Sequence, residues 1–153
     1  MWRALDRLLA RTGAWAAWLV LPVSALLLLQ WPLRDVVRAY SREANDVAQW
    51  LFALYVAAAL TQATRARAHL AVPGVLRPAW RARVARMGAL VCVLPWAGFI
   101  LVAGAPGVWQ SVRGLEAFPD TFNPGYFLVK LAAWLLALLA AAQALRDAFG
   151  PAD

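Results

Sequence analysis

Apolar residues run through this chain in four long blocks separated by shorter polar segments. The blocks cover residues 14–31, 47–64, 84–105 and 125–147, and none shows the strict alternation of a barrel strand. A helix needs about 20 apolar residues to cross roughly 30 Å of hydrocarbon, and each block is near that length. In lipid every backbone N–H and C=O must be satisfied within the protein, which leaves helices and closed barrels. Without alternation, helices win. The pattern predicts an all-α integral membrane protein with four transmembrane helices, forming a single membrane domain over residues 1–153.

The segment between the first two blocks, "PLRDVVRAYSREAND" at residues 32–46, is patterned differently. Leu33, Val36, Val37, Tyr40, Ala44 and Val47 follow the i, i+3, i+4, i+7 rhythm of one helix face. Arg34, Asp35, Arg38, Ser41, Arg42, Asn45 and Asp46 fill the rest. Pro32 suits the first turn of a new helix, and Arg42 and Asp46, one turn apart, are spaced to pair. A short helix with an apolar stripe and a charged face lies in the membrane plane. An amphipathic interfacial helix is therefore expected between the first and second spans. The alternative is a solvated extension of a helical hairpin. Plain connections in helix bundles usually take about 2–8 residues, and this one is longer and patterned throughout.

Composition supports the membrane reading. Hydrophobic residues make up 63% of the chain and charged residues 15%, against about 45–50% and 25% in soluble domains. A cleaved signal peptide is an alternative for the first block, but its apolar core would span about 7–15 residues. This block is longer and Trp-rich, and no small-residue cleavage site follows it. The net charge of +7 raises nucleic acid as a partner, yet the arginines are placed for topology instead. Arg65, Arg67, Arg77, Arg81, Arg83 and Arg86 fall between the second and third spans with no acid among them. The positive-inside rule assigns that segment to the cytoplasm. Arg3, Arg7 and Arg11 agree, and Arg113, Glu116 and Asp120 form the mixed outer loop. Both termini are then cytoplasmic, and the partners of the basic segment are the lipid bilayer and its anionic headgroups, with no nucleic acid.

Aromatic and special residues refine this picture. Trp15, Trp31, Trp50, Trp80 and Trp109 lie near span ends, where amphipathic rings favour the headgroup layer. Trp18, Trp96 and Trp134 lie deeper and read as packing residues. Pro22 and Pro95 fall mid-span and should kink their helices. Cys92, the single cysteine, reads as a small buried hydrophobe.

The stretch "VVRAYSREANDVAQWLFALYVAAALTQATRARAHLAV" (Val36 to Val72) resembles the core of the small permease subunit, Q-type, of TRAP transporters, the tripartite ATP-independent periplasmic family. Arg38 and Tyr40 match that family's Arg-Tyr element, with Ala39 intervening. Asp46 and Trp50 match its acid-preceded, Trp-rich second span. Arg67, His69, Leu70 and Val72 match its exit from that span. The tail "FPDTFNPGYFLVKLAAWLLALLAAAQALRDAF" (Phe118 to Phe149) is similar to the family's last span, including Lys130 and Gln143. Two departures stand out: Ala57, Ala58 and Ala59 replace a glycine, and the paired acid is reduced to Asn45 and Asp46.

The resemblance implies a scaffold role beside a large TRAP permease subunit, which carries the solute and sodium sites. It also implies a periplasmic solute-binding protein that delivers an organic acid, a C4-dicarboxylate or related carboxylate. The setting implied is the bacterial inner membrane, and the activity is secondary, sodium-driven uptake. The residues fit a supporting role, since no acid lies inside any span, whereas transporters that work alone carry ionisable groups or broken helices near the midplane. Lys130 stands about five residues, some 7–8 Å, into the fourth span. It can snorkel outward or touch solute. No catalytic, cofactor-binding or metal-binding residue is expected, and no enzyme activity. The rival readings are a four-helix cytochrome b-like redox subunit and a stand-alone small exporter. The first needs axial ligands within the helices, and His69, the only histidine, lies in the basic segment as a headgroup-level polar residue. The second wants a membrane-embedded carboxylate.

Overall fold

The structure, a computed structural model, describes residues 2–38, 41–66, 68 and 78–149. Within them the chain forms five α-helices and no strand: α1 (Trp2–Asp35), α2 (Arg42–Arg65), α3 (Pro78–Gly88), α4 (Leu94–Arg113) and α5 (Tyr126–Phe149). A π-helical turn, Ala89–Val93, joins α3 to α4 into one rod. Four stretches are long and apolar enough to cross a membrane: Ala4–Asp35, Arg42–Arg65, Arg86–Arg113 and Tyr126–Phe149. This is the expected multi-pass, four-helix membrane architecture. Each span runs past its apolar block, because a helix continues through polar residues until a cap or glycine stops it.

The helices stand in a row. α1 packs on α2, α2 on α5, and α5 on the α3–α4 rod. Among the described residues α1 and α2 make no contact with the rod. The result is an open layer, in which α1 also touches α5. Small residues let the backbones approach, as they do between helices in lipid. Ala16, Ala48, Ala57, Ala58, Ala97, Ala132, Ala137 and Ala144 are all buried. Ala57 and Ala58 in the second span therefore serve close contact. On α1 the buried residues are Leu9, Ala16 and Val23, seven apart, which is the narrow seam of coiled-coil packing.

Among the described residues of 32–46 no separate interfacial helix is seen. Pro32 sits in the last turn of α1, and its carbonyl accepts from the N–H groups of both Val36 and Val37 at 3.0 and 3.1 Å. Residues 36–38 are non-helical, and Arg38 adopts a φ of 54°. Ser41 then caps α2, its Oγ accepting from the Ala44 N–H at 3.1 Å. That bond satisfies one of the donors left open at a helix start. Ser41, not Pro32, marks the new helix, and residues 42–46 are the first turns of α2. The expected stripe is thus split between two helix ends, and Tyr40 of that stripe lies outside the described residues.

Other expectations are revised as well. Trp18 is 73% exposed and Trp96 49%, so both face away from the chain's own packing. Cys92 is exposed too. Trp134 does pack, its Nε1 donating to the Leu101 carbonyl at 3.1 Å. The disturbance at Pro95 takes the form of the π turn immediately before it. There Leu94 N–H bonds five residues back to the Ala89 carbonyl, re-registering the ladder ahead of a residue that cannot donate.

Candidate functional site

Polar side chains gather at the two ends of the layer. At the end that holds the start of α1 and the end of α5, Asp6 of α1 accepts from Arg65 of α2 at 3.3 Å and from Arg146 of α5 at 3.2 Å. One carboxylate thus ties three helices together. Asp147 accepts from Gln143 at 2.8 Å beside it. Deeper by a turn, the Leu9 carbonyl receives Thr12 Oγ1 at 2.8 Å and Gln62 Nε2. Gln62 reaches it across Gly13, where a Cβ would overlap the Gln62 side chain. The close approach is what requires glycine here.

The opposite end is built by the first turns of α2 and the loop 114–125 between α4 and α5. α4 ends in a Schellman turn, in which Glu116 N–H bonds the Ser111 carbonyl at 3.0 Å and Leu115 N–H the Val112 carbonyl at 3.2 Å. The two positions that usually make an apolar contact in this turn are Ser111 and Glu116, and here Ser111 Oγ donates to the Glu116 carboxylate. Lys130 of α5 donates to both oxygens of that carboxylate, the longer bond being 2.7 Å. Lys130 thus reaches outward along its stem, toward a partner in the loop. The Lys130 ammonium, and secondarily the Ser111 hydroxyl, hold the Glu116 carboxyl below its ordinary value of 4.5.

The loop folds back on itself through an Ala117–Pro124 bridge and a Phe118 N–H bond to the Asn123 carbonyl at 2.8 Å. Phe118 packs edge-on to Tyr126 with centroids 5.5 Å apart. Gly125 closes the loop at φ 143°, a backbone conformation that residues with a Cβ rarely adopt, beside Phe118 and Trp50. Thr121 donates its hydroxyl to Asp46, which is 7% exposed. Asp46 therefore takes its hydrogen bond from across the layer, and not from Arg42 one turn away. Between α2 and the loop lies a cavity of about 470 Å³ lined by Arg42, Asn45, Asp46, Gln49, Phe118, Pro119, Asp120, Thr121 and Tyr126.

The structure brings together Asp46, Lys130 and the loop acids Glu116 and Asp120 at one end. Of the other residues singled out in the sequence, Tyr40, Arg67, His69, Leu70, Val72 and Arg77 lie outside the described residues. Among the described residues no three His, Cys, Asp or Glu side chains gather to hold a metal ion. Sequence reasoning missed the partners of Asp46 and Lys130, which are 75 and 14 residues away. It also missed Ser41, whose signal was legible as a capping residue ahead of Glu43. Compared with protein-family models, curated proteins and solved structures, the chain matches none.

Proposed function

We propose that this chain is the small scaffold subunit of a TRAP-type secondary transporter in the bacterial inner membrane, supporting sodium-driven uptake of an organic acid. The observation that carries the reading is the open layer of helices. Among the described residues α1 and α2 do not meet the α3–α4 rod to close a bundle, and the helix middles carry no carboxylate that could couple transport to an ion. Its outward faces carry Trp15, Trp18, Leu21, Leu28, Phe99 and Val102, all well exposed within the chain. Some of that surface meets lipid, and the rest is free to brace a larger membrane partner. The sequence resemblance names the partners as a large permease and a periplasmic solute-binding protein. The excess of arginine at the end holding Asp6, Arg65 and Arg146 favours cytoplasmic termini.

The test is reconstitution. The chain alone in proteoliposomes is expected to give no solute uptake. Co-expressed with a large TRAP permease and a solute-binding protein from the same source, it should co-purify with the permease and give sodium-dependent uptake of a carboxylate. Sodium-dependent transport by this chain alone would overturn the scaffold reading, as would failure to co-purify.

A further inference from the structure

Two bulky apolar residues of the outer loop are held in left-handed backbone with their side chains outside the protein. In a Schellman turn the left-handed position usually belongs to glycine. Here Gly114 stands one residue early, at φ −82°, and Leu115 takes the position at φ 44°. Seven residues later Phe122 repeats the feature at φ 57°. A Cβ in this region crowds the neighbouring carbonyl, and for a bulky residue it is an outlier. Leu115 is 61% exposed and Phe122 82%. Most of each side chain therefore lies outside the chain's own packing, and glycine would hold either turn with less strain and less exposed apolar surface. Such strain persists where the surroundings impose it and tends to accompany function. The surroundings here are the bridge, the Glu116–Lys130 pair and the Thr121–Asp46 bond, which fix the loop from three sides.

Depth along the helices identifies the occupant of that surface. The Glu116 carbonyl accepts from Gly125 and Phe127 at 3.3 and 3.4 Å, so its neighbour Leu115 is level with the first turn of α5. Phe122 N–H bonds the carbonyl of Phe118 at 2.9 Å, and the Phe118 ring itself packs on Tyr126 in the first turn of α5. A 24-residue helix is about 36 Å long and overshoots a hydrocarbon core of about 30 Å, which puts its first turn at the headgroup–acyl boundary. Trp109, with Arg113 stacked 4.5 Å from its ring centroid, marks the same boundary at the end of α4. We infer that Leu115 and Phe122 seat the outer loop in the lipid interface, so that the loop rests on the membrane while its polar side, with Asp120 and the cavity, faces water. The seating is independent of any transport role and belongs to the chain by itself.

The test uses the full chain, with Cys92→Ser to remove the native thiol, in phosphatidylcholine vesicles without any partner. Leu115→Cys, Phe122→Cys and Asp120→Cys are each labelled with an environment-sensitive fluorophore. Quenching is then compared between a nitroxide carried near the lipid headgroup and a neutral aqueous quencher present on both sides. The expected result is blue-shifted emission, strong lipid-borne quenching and loss of aqueous quenching at positions 115 and 122, with the reverse at 120. Aqueous quenching at 115 and 122 equal to that at 120 overturns the inference. So does one position in lipid with the other in water. If one of the two apolar-site variants fails to insert, the other decides alone, because each position is read separately against 120.

Discussion

Replacing Thr121 by valine should loosen the grip of the 114–125 loop on α2, because it removes the donor to Asp46 while keeping side-chain size. Asp46 is 7% exposed, and Thr121 is its hydrogen-bond partner, 75 residues away in sequence. A hydrogen bond to a charged group contributes about 1.5–3 kcal/mol. In membrane proteins, measured couplings average about 0.6 kcal/mol and reach about 1.7. The pair lies at the polar end of the layer beside the 470 Å³ cavity, where water can partly replace the lost donor. A coupling of about 1–2 kcal/mol follows, between those two ranges. The measurement is a double-mutant cycle of Thr121→Val and Asp46→Ala, read by unfolding of the purified chain in detergent. Thr121→Ser, which keeps the hydroxyl, should recover most of the loss. If the two single effects add to within about 0.3–0.5 kcal/mol, the two side chains are not coupled and the reasoning fails.

Gly13→Ala should destabilise the chain by about 1–3 kcal/mol, the usual range for overpacking, since the new Cβ overlaps Gln62 and breaks its bond to the Leu9 carbonyl; Gln62→Ala in the same background should relieve part of it, and an unchanged melting curve for Gly13→Ala would count against the packing of α1 on α2. The Glu116–Lys130–Ser111 cluster should respond to acid. Because the carboxyl is held below 4.5, its stabilisation is fully present above that value and is lost as the pH falls through the lowered one. Thermal stability should therefore drop at acid pH more steeply in the wild type than in Glu116→Gln, and identical pH profiles for the two would refute the role of the pair.

How much of this protein could be read from its sequence follows from the solvent it lives in. The number and rough extent of the spans were legible, because lipid cannot hydrogen-bond the backbone and so each crossing demands a long apolar helix. The basic segments around Arg7, Arg65 and Arg86 were likewise legible as one charged end, and the structure brings Asp6, Arg65 and Arg146 together there. Which face of each helix packs was not legible. In water a buried face is more apolar than an exposed one, but lipid is as apolar as a packed core, so that contrast disappears. Trp18 and Cys92 were accordingly read as inward and are exposed, while Ala57, Ala132 and Ala137 are buried because small side chains let helices approach. Local pattern also misled at residues 32–46. The helical rhythm there was real, but the Ser41 cap and the break at residues 36–38 split it between two helices. Only the tertiary structure decided that the helices stand as α1, α2, α5 and α4 in a row, and that Asp46 and Lys130 find partners in a distant loop. Those contacts depend on how separate helices lie beside one another, which no periodicity within a single helix encodes.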